Sequence, residues 1–417
     1  MTEIINCPVA HEREVRQFPF DRPGCPMEPS GTYAELRSTE PVSKISLRLN
    51  GREAWLLTRF EDIREMLSDP RFSADMTNPG YPLQFEFPME LIGKVKPALL
   101  HMDPPEHTKN RMMLMPELTV KKVASLTPRT EEVVDECIDN ILELGKDGTP
   151  VDLVEHLAMP VPAIGMAEMM DIAHEEKELF TRWVTLLVTQ GDGEEHADLN
   201  MRVEMLLYKL IAERSVNPGD DLISTLTQRN IKAGKPLDDS EVSALVRAMI
   251  AAGHESTVNG IAIGCMVLLN HPEQAQLLRD KPELSGPAVD EILRYSSISD
   301  HGTVRVATED VVIGGQLIKA GEGVVCSLSA GNHDPAVYDN PNTLDLTRKE
   351  ARHSLAFGYG RHMCAGQTLV RMQLQTVFTK LFTRIPTIKQ AVPLEELPFK
   401  SFYQALIDGL HALPVTF

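Results

Sequence analysis

The sequence carries no excess of basic charge, no long apolar run, no closely paired cysteines and no internal repeat. Its 41 Lys and Arg stand against 60 Asp and Glu, a formal net charge of −19. Nucleic-acid binding needs a basic face that neutralises phosphates, and this balance argues against it. It argues equally against docking on an anionic membrane surface. No segment approaches the roughly 18 apolar residues of a membrane span. The N-terminus, MTEIINCPVAHEREV, lacks a basic start followed by an apolar block, so no signal peptide is expected. The six cysteines, at 7, 25, 137, 265, 326 and 364, are scattered without a CxxC pair. That is neither a disulfide framework nor a zinc-ribbon pattern, and reduced thiols in the cytoplasm are the expectation. The chain also has no Walker loop and no GxGxxG after a strand.

What is present is a chain of 417 residues, 42% hydrophobic and 24% charged, able to bury a large core. No linker divides it, so one domain over 1–417 is expected, with an irregular Pro-rich lead-in over 1–30. Helical spacing at Tyr33 to Arg37 is followed by strands over Val42 to Leu49 and Ala54 to Thr58, joined by the turn signal Asn50-Gly51. A helix over Phe60 to Leu67 comes next. Ser73 to Leu91, with Pro82, Pro88, Tyr81, Phe85 and Phe87, reads as a long loop of the kind that forms lids. Gln190 to Asp198 reads as a polar, acidic loop. Thr130 to Tyr295 is largely helical, and short strands return at Val311 to Ile313 and Gly323 to Leu328. A last helix over Gly366 to Phe382 places Leu374, Val377, Phe378 and Leu381 on one face. The expected fold class is mainly α, with small β-sheets near both ends.

One helix is unusual. A capping box at Asp238 to Glu241 opens an apolar pattern that ends before Asn270-His271-Pro272. At 1.5 Å per residue it would span roughly 48 Å. Its middle is polar: Ala251-Ala252-Gly253-His254-Glu255-Ser256-Thr257. An acid and two hydroxyls inside an apolar helix are costly unless something uses them. The hydroxyls can bond back to the preceding turn and open the helix locally, and the small residues let a flat ligand approach the backbone. Alternatively, Glu255 faces solvent at a kink. A zinc-protease HExxH is excluded, because Val258 stands where the second His must be.

The sharpest signal is Phe357-Gly358-Tyr359-Gly360-Arg361-His362-Met363-Cys364-Ala365-Gly366. Three glycines make a tight loop that presents Cys364 beside the start of the last helix. Helix dipole and backbone N–H groups there favour negative charge, and are expected to depress the thiol pKa. The alternative is an inert cysteine in a Gly-rich turn. Upstream, Glu291-Ile292-Leu293-Arg294 spaces an acid and a base to pair on one helix face.

In this order, these motifs resemble those of the cytochrome P-450 family of haem-thiolate proteins, in its soluble bacterial form. FGYGRHMCAG resembles the family's cysteine-ligand loop, EILR its ExxR pair and AAGHEST its oxygen-activation motif. Met102 to His107 (MDPPEH) with Arg111, and Asn332-His333-Asp334-Pro335, are similar to further family segments. The resemblance implies a haem b held between the long central helix and the Cys-bearing loop, with Cys364 as the iron's axial ligand. It implies His107, Arg111, Arg305 and His362 at the haem propionates, with Ala252, Phe357, Gly358 and Gly366 also against the cofactor. Glu291 and Arg294 would be structural. Glu255, Ser256 and Thr257 would serve proton delivery to bound oxygen. The family generally has Thr where this chain has Ser256, which keeps the hydroxyl but loses the methyl that restricts its rotamer.

By the same alignment Ala248, Ala251, Ala252 and His301 would face the substrate, and Phe85 and Phe87 would lie in the entrance loop. This suits a bulky, mostly apolar molecule such as a polyketide, macrolide, terpenoid or steroid-like compound. Since the chain has no flavin or iron–sulfur module, the resemblance implies electrons from a ferredoxin and its NAD(P)H-dependent reductase. Lys109, Lys121, Lys122, Arg361 and Arg371 would offer a basic docking patch. The expected reaction is monooxygenation, with O2 as co-substrate. The alternatives are a nitric oxide reductase using NADH directly, suggested by the terminal Leu413-Pro414-Val415-Thr416-Phe417, and a non-enzymatic haem carrier or sensor.

Overall fold

A computed structural model describes residues 15–21, 28–84, 98–186, 193–234, 237–300, 303–400 and 407–417. Helices dominate. In chain order they are α1 (Gly31–Thr39), α2 (Phe60–Ser68), α3 (Glu106–Leu114), α4 (Val120–Leu144), α5 (Pro160–Met169), α6 (His174–Leu186) and α7 (Gly193–Val216). Then come α8 (Leu222–Lys232), α9 (Asp239–Leu269), α10 (Pro272–Asp280), α11 (Ser285–Ser296), α12 (Leu328–Asn332) and α13 (Gln367–Arg384). The strands are β1 (Arg16–Phe18), β2 (Val42–Leu47), β3 (Glu53–Leu57), β4 (Phe72–Ser73), β5 (Val151–Asp152), β6 (Thr303–Ala307), β7 (Val311–Ile313), β8 (Gln316–Ile318), β9 (Gly323–Cys326), β10 (Lys389–Gln390) and β11 (Pro414–Thr416).

The main sheet has the order β1-β2-β3-β9-β6-β4, so it joins the first part of the chain to the segment after α11. β2 and β3 form the expected hairpin, and Gly51 takes φ +69 in its turn. The strand β1 lies within the stretch expected to be irregular. It pairs parallel to β2, placing Phe18 opposite Leu47 with both side chains buried. Of the two expected loops, the first begins one residue late: Ser73 pairs with β6, residues 74–84 run without helix or strand as expected, and 85–91 lie outside the described residues. The second is corrected, since residues 193–198 form the first turns of α7.

The helix α9 has 31 residues and starts at the expected capping box. Asp238 accepts from Glu241 N at 2.9 Å, while Glu241 accepts from Asp238 N at 2.7 Å. Such a cap contributes about 1 kcal/mol. The helix is not opened at its polar centre. Ser256 and Thr257 donate to the Ala252 and Gly253 carbonyls at 2.7 and 2.6 Å, and the helical ladder continues past them. The largest core cluster packs α4, α9, α11, α13 and β11 together. Ile138, Ile261, Met266, Ile292, Phe378 and Val415 are each no more than 1% exposed there. This packing fixes α9 across the start of α13, and the site lies at that crossing.

Candidate active site

A cavity of about 240 Å³ separates α9 from the cysteine loop. On one wall Ala248, Ala252, Gly253, Ser256 and Thr257 project from α9; on the other stand His362, Cys364, Ala365 and Gly366. The remainder is mostly apolar and includes Leu99, Leu114, Met166, Met169, Leu245, Met249 and Leu369, with His107 and Arg111 also on the wall. Small side chains on one wall leave room for a flat, wide group. The sequence reading missed the flanking leucines and methionines. Periodicity marks them as core, and only the crossing of the helices turns them toward a cavity.

Glycine makes the loop's path possible. Gly358 takes φ +68, and Gly360 takes φ +71 so close to α2 that a Cβ would lie 2.4 Å from Leu67 O. Cys364 N donates to Phe357 O at 2.9 Å, which closes the loop. The Phe357 ring lies under the Arg371 guanidinium, 4.4 Å from ring centroid to Cζ, on the core side rather than in the cavity wall. Gly366 is the residue before the first turn of α13.

The thiol of Cys364 receives backbone N–H groups from Gly366 and Gln367, and Arg111 and Arg371 lie close by. All four favour thiolate, as expected. Burial outweighs them, however, and the net shift of the free thiol is upward. The expectation of a thiol depressed by the loop alone is therefore corrected: desolvation is the larger effect. Metal coordination removes a thiol proton outright, so a bound cation would reverse the balance.

At one edge of the cavity two imidazoles meet among guanidinium groups. The rings of His107 and His362 are 4.1 Å apart. Both nitrogens of His107 and Nε2 of His362 are buried without a hydrogen-bond partner. Burial, then Arg305, His107, Arg361 and Arg111, push the His362 pKa down to about 2. Burial and the Arg111, Arg361 and Arg305 guanidinium groups also lower that of His107. Arg305 does not line the cavity; it is buried on β6, donates to Val304 O at 2.7 Å, and acts on His362 through its charge. Arg111 donates to Met363 O at 2.7 Å. Unpaired buried imidazoles among guanidinium groups are expensive unless an anion sits there. The donor set therefore fits a flat group carrying carboxylates at one edge and a thiophilic metal at its centre.

Other predicted residues lie elsewhere. Glu255 is turned off the cavity wall, with Oε1 3.7 Å from Lys400 Nζ. Ala251 is exposed but does not line this cavity. Phe85, Phe87 and His301 lie outside the described residues. The basic patch is smaller than expected. Lys122 is paired with Asp220 at 2.7 Å and Arg371 with Asp290 at 2.8 Å. Arg361 turns inward and donates to Phe72 O at 2.8 Å. Lys121 is exposed, and Lys109 is 72% exposed with only a 4.0 Å contact to Glu106. Asn332 shows why its motif matters: its side chain donates to Ser297 Oγ at 2.9 Å and accepts from Leu355 N at 2.7 Å, tying α11 to the segment that leads into the cysteine loop.

Fold and donor set together define a haem-thiolate protein. The comparisons agree. The family profile described as Cytochrome P450 matches residues 286–388. Pentalenic acid synthase of Streptomyces avermitilis is 38% identical over 399 residues, 96% of each chain. The crystal structure of cytochrome P450 MoxA from Nonomuraea recticatena superposes with a TM-score of 0.89 at 40% identity, covering 96% of this chain and 98% of that one. A hydroxylase from Micromonospora griseorubida, the mycinamicin VIII C21 methyl hydroxylase MycCI bound to mycinamicin VIII, gives 0.84 at 32%, covering 97% and 100%. The chain belongs to the cytochrome P450 family, and the family implies a haem iron with a thiolate ligand. It is a cytochrome P450 monooxygenase, and this reading stands over that of a nitric oxide reductase. Among the described residues no helix is long and apolar enough to cross a membrane.

Proposed function

We propose that the enzyme inserts one oxygen atom from O2 into a bulky, mostly apolar secondary metabolite, hydroxylating or epoxidising it. The carrying observation is the cavity itself: Cys364 on one wall, the alanines and hydroxyls of α9 on the other, and a mostly apolar lining with cationic and imidazole groups at one edge. The mycinamicin-bound relative and the synthase of pentalenic acid support a polyketide, macrolide, terpenoid or steroid-like substrate.

In this reading Cys364 would ligate the iron of a haem b, Arg111 and Arg305 would supply positive charge for its propionates, and His107 and His362 would hydrogen-bond to them. When bound, a haem held by the Cys364 thiolate would supply the oxygen-activating chemistry. Ala252, Gly358 and Gly366 leave it room, and Phe357 holds the loop through its carbonyl. Ser256 and Thr257 carry hydroxyls that can leave their intrahelical bonds and donate into the cavity, and Glu255 supplies protons from the solvent side. Ala248 and Ala252 form the wall against the substrate, while Ala251, His301, Phe85 and Phe87 are assigned to its entrance. A ferredoxin, reduced by an NAD(P)H-dependent reductase, delivers electrons at a face that includes Lys109 and Lys121. The chain works as one domain, a reading supported by a core cluster that runs from Val133 to Val415.

The test is a library screen for a low-spin to high-spin change in the Soret band of the purified protein. Compounds of the stated class should produce it, and the best of them should be oxidised when a ferredoxin and its reductase are supplied. A colourless preparation, or NADH-driven nitric oxide reduction without any oxygenated product, would overturn the proposal.

A further inference from the structure

An arginine carries five N–H donors and no acceptor, so a largely covered one needs oxygen partners. Most of the covered arginines here have them. Arg294, Arg348 and Arg371 each place a nitrogen 2.7 Å from an oxygen of the chain. Arg247 on α9 does not. Its side chain is 33% exposed, yet its Nε is buried without a hydrogen-bond partner. Its ionic contact among the described residues runs from Nη1 to Glu204 Oε2 on α7 at 3.8 Å, beyond hydrogen-bond length. Glu204 is engaged elsewhere, since its Oε1 accepts from Tyr208 Oη at 3.0 Å, one turn along α7. A guanidinium held this loosely is set for an oxygen that the chain does not supply.

The place of Arg247 on α9 says which kind of molecule brings that oxygen. Arg247 and Ala251 are one turn apart on one face of the helix, and Ala248 and Ala252 form the adjoining row. Ala248 and Ala252 line the cavity, and Ala251 and Ala252 are exposed, so this strip of helix surface lies open between the cavity and the arginine. Five residues separate Arg247 from Ala252, about 7.5 Å along the helix axis. We propose that Arg247 determines specificity by holding the carboxylate of an amphipathic acid at the cavity rim. The apolar body then lies along the alanines, and the end remote from the carboxylate reaches the space between Ala252 and Cys364. The planar guanidinium matches a carboxylate with two parallel N–H···O bonds, which the long contact to Glu204 leaves available. This deepens the proposed function and rests on its reading of the cavity. Within the apolar substrates named there it selects carboxylic acids long enough to span about 8 Å from the acid group to the oxidised carbon.

The test uses the haem-loaded enzyme and three matched pairs: dodecanoic, abietic and lithocholic acids, each with its methyl ester. Affinities are read from the Soret spin shift at low salt. For at least one pair the acid should bind about tenfold or more tightly than the ester. Arg247→Gln and Arg247→Met should each remove that preference and leave ester affinity within about twofold. Arg247→Lys, which keeps the charge and loses the fork, should retain part of it. Glu204→Gln should tighten acid binding several-fold, because an anion on Arg247 feels the neighbouring carboxylate. Melting temperature and Soret intensity establish that each variant is folded, and two neutral variants guard against one that is not. Equal binding of acid and ester by the wild type would overturn the inference. So would a loss of acid and ester alike in both neutral variants, which marks a packing role, or acid binding unchanged by Glu204→Gln, which places the carboxylate elsewhere. Neutral compounds that still shift the Soret band and are oxygenated would in those cases leave the proposed function standing; no shift with any compound would end both.

Discussion

Arg294 grips Glu291 with two hydrogen bonds, Nε to Oε2 at 2.7 Å and Nη2 to Oε1 at 2.9 Å, and both side chains are 0% exposed. The pair is not isolated. Arg294 also donates to Asn332 O at 2.8 Å and Pro341 O at 2.9 Å, and Arg348 reaches Glu291 at 3.1 Å. Removing one partner strands a buried charge, so Glu291→Ala or Arg294→Ala should cost about 3–5 kcal/mol. Urea denaturation of the purified variants checks this. A loss below about 1 kcal/mol would mean that the network is not structural.

Gly264 of α9 faces the ring of Phe378 on α13; a Cβ there would lie 2.2 Å from Cζ. Gly264→Ala should destabilise the protein by about 1–3 kcal/mol through overpacking. The double variant with Phe378→Leu should recover part of that loss. Equal stability of Gly264→Ala and wild type would show that the helices can move apart freely.

The Ser256 hydroxyl lies at the cavity and is bonded to Ala252 O. Ser256→Ala should lower the rate of product formation by about 10²-fold while NADH consumption continues. Ser256→Thr, which restores a restricted rotamer, should match or exceed the wild-type yield of product per NADH. Unchanged coupling in Ser256→Ala would remove this hydroxyl from proton delivery.

Burial holds the pKa values of His254 and His333 down at about 4, against an ordinary 6.5. Below pH 6.5 the unfolded chain takes up protons that the folded chain refuses. Stability from these groups is therefore complete above that pH and falls as pH drops toward 4. Each contributes a slope of up to about 1.4 kcal/mol per pH unit in this window. His333→Asn keeps a donor for Ser329 O and should flatten the fall by about that amount, read from urea midpoints at pH 7, 6 and 5. A slope equal to the wild type would place the acid sensitivity elsewhere.

Lys109 and Lys121 are the exposed members of the basic patch. Lys109→Glu with Lys121→Glu should weaken ferredoxin-supported turnover several-fold at low salt, and the difference should shrink at high salt as charges are screened. An equal effect at all ionic strengths would exclude electrostatic docking here.

Much of the site was legible in the sequence because it is local. The FxxGxxxCxG spacing forces a loop that only glycines can follow, and ExxR places two groups within reach along one helix. The capping box and the polar centre of α9 were legible for the same reason. The direction of Glu255 was not, since its partner Lys400 lies 145 positions away in sequence and pairs with it only through tertiary packing. The inward turn of Arg361 and the pairing of Arg371 and Lys122 were hidden likewise, because charge on a string of letters does not say which carboxylate or carbonyl it will meet.

By itself, then, the sequence determined the thiol, the glycine path around it, the long helix and the family, all of which depend on spacing along the chain. Tertiary structure decided the rest. It set burial against the local donors at Cys364 and left the free thiol's pKa raised, and it gathered His107, His362, Arg111 and Arg305 at one cavity edge. Desolvation and charge–charge energies depend on distance in space, and the packing of α9 across α13 sets those distances.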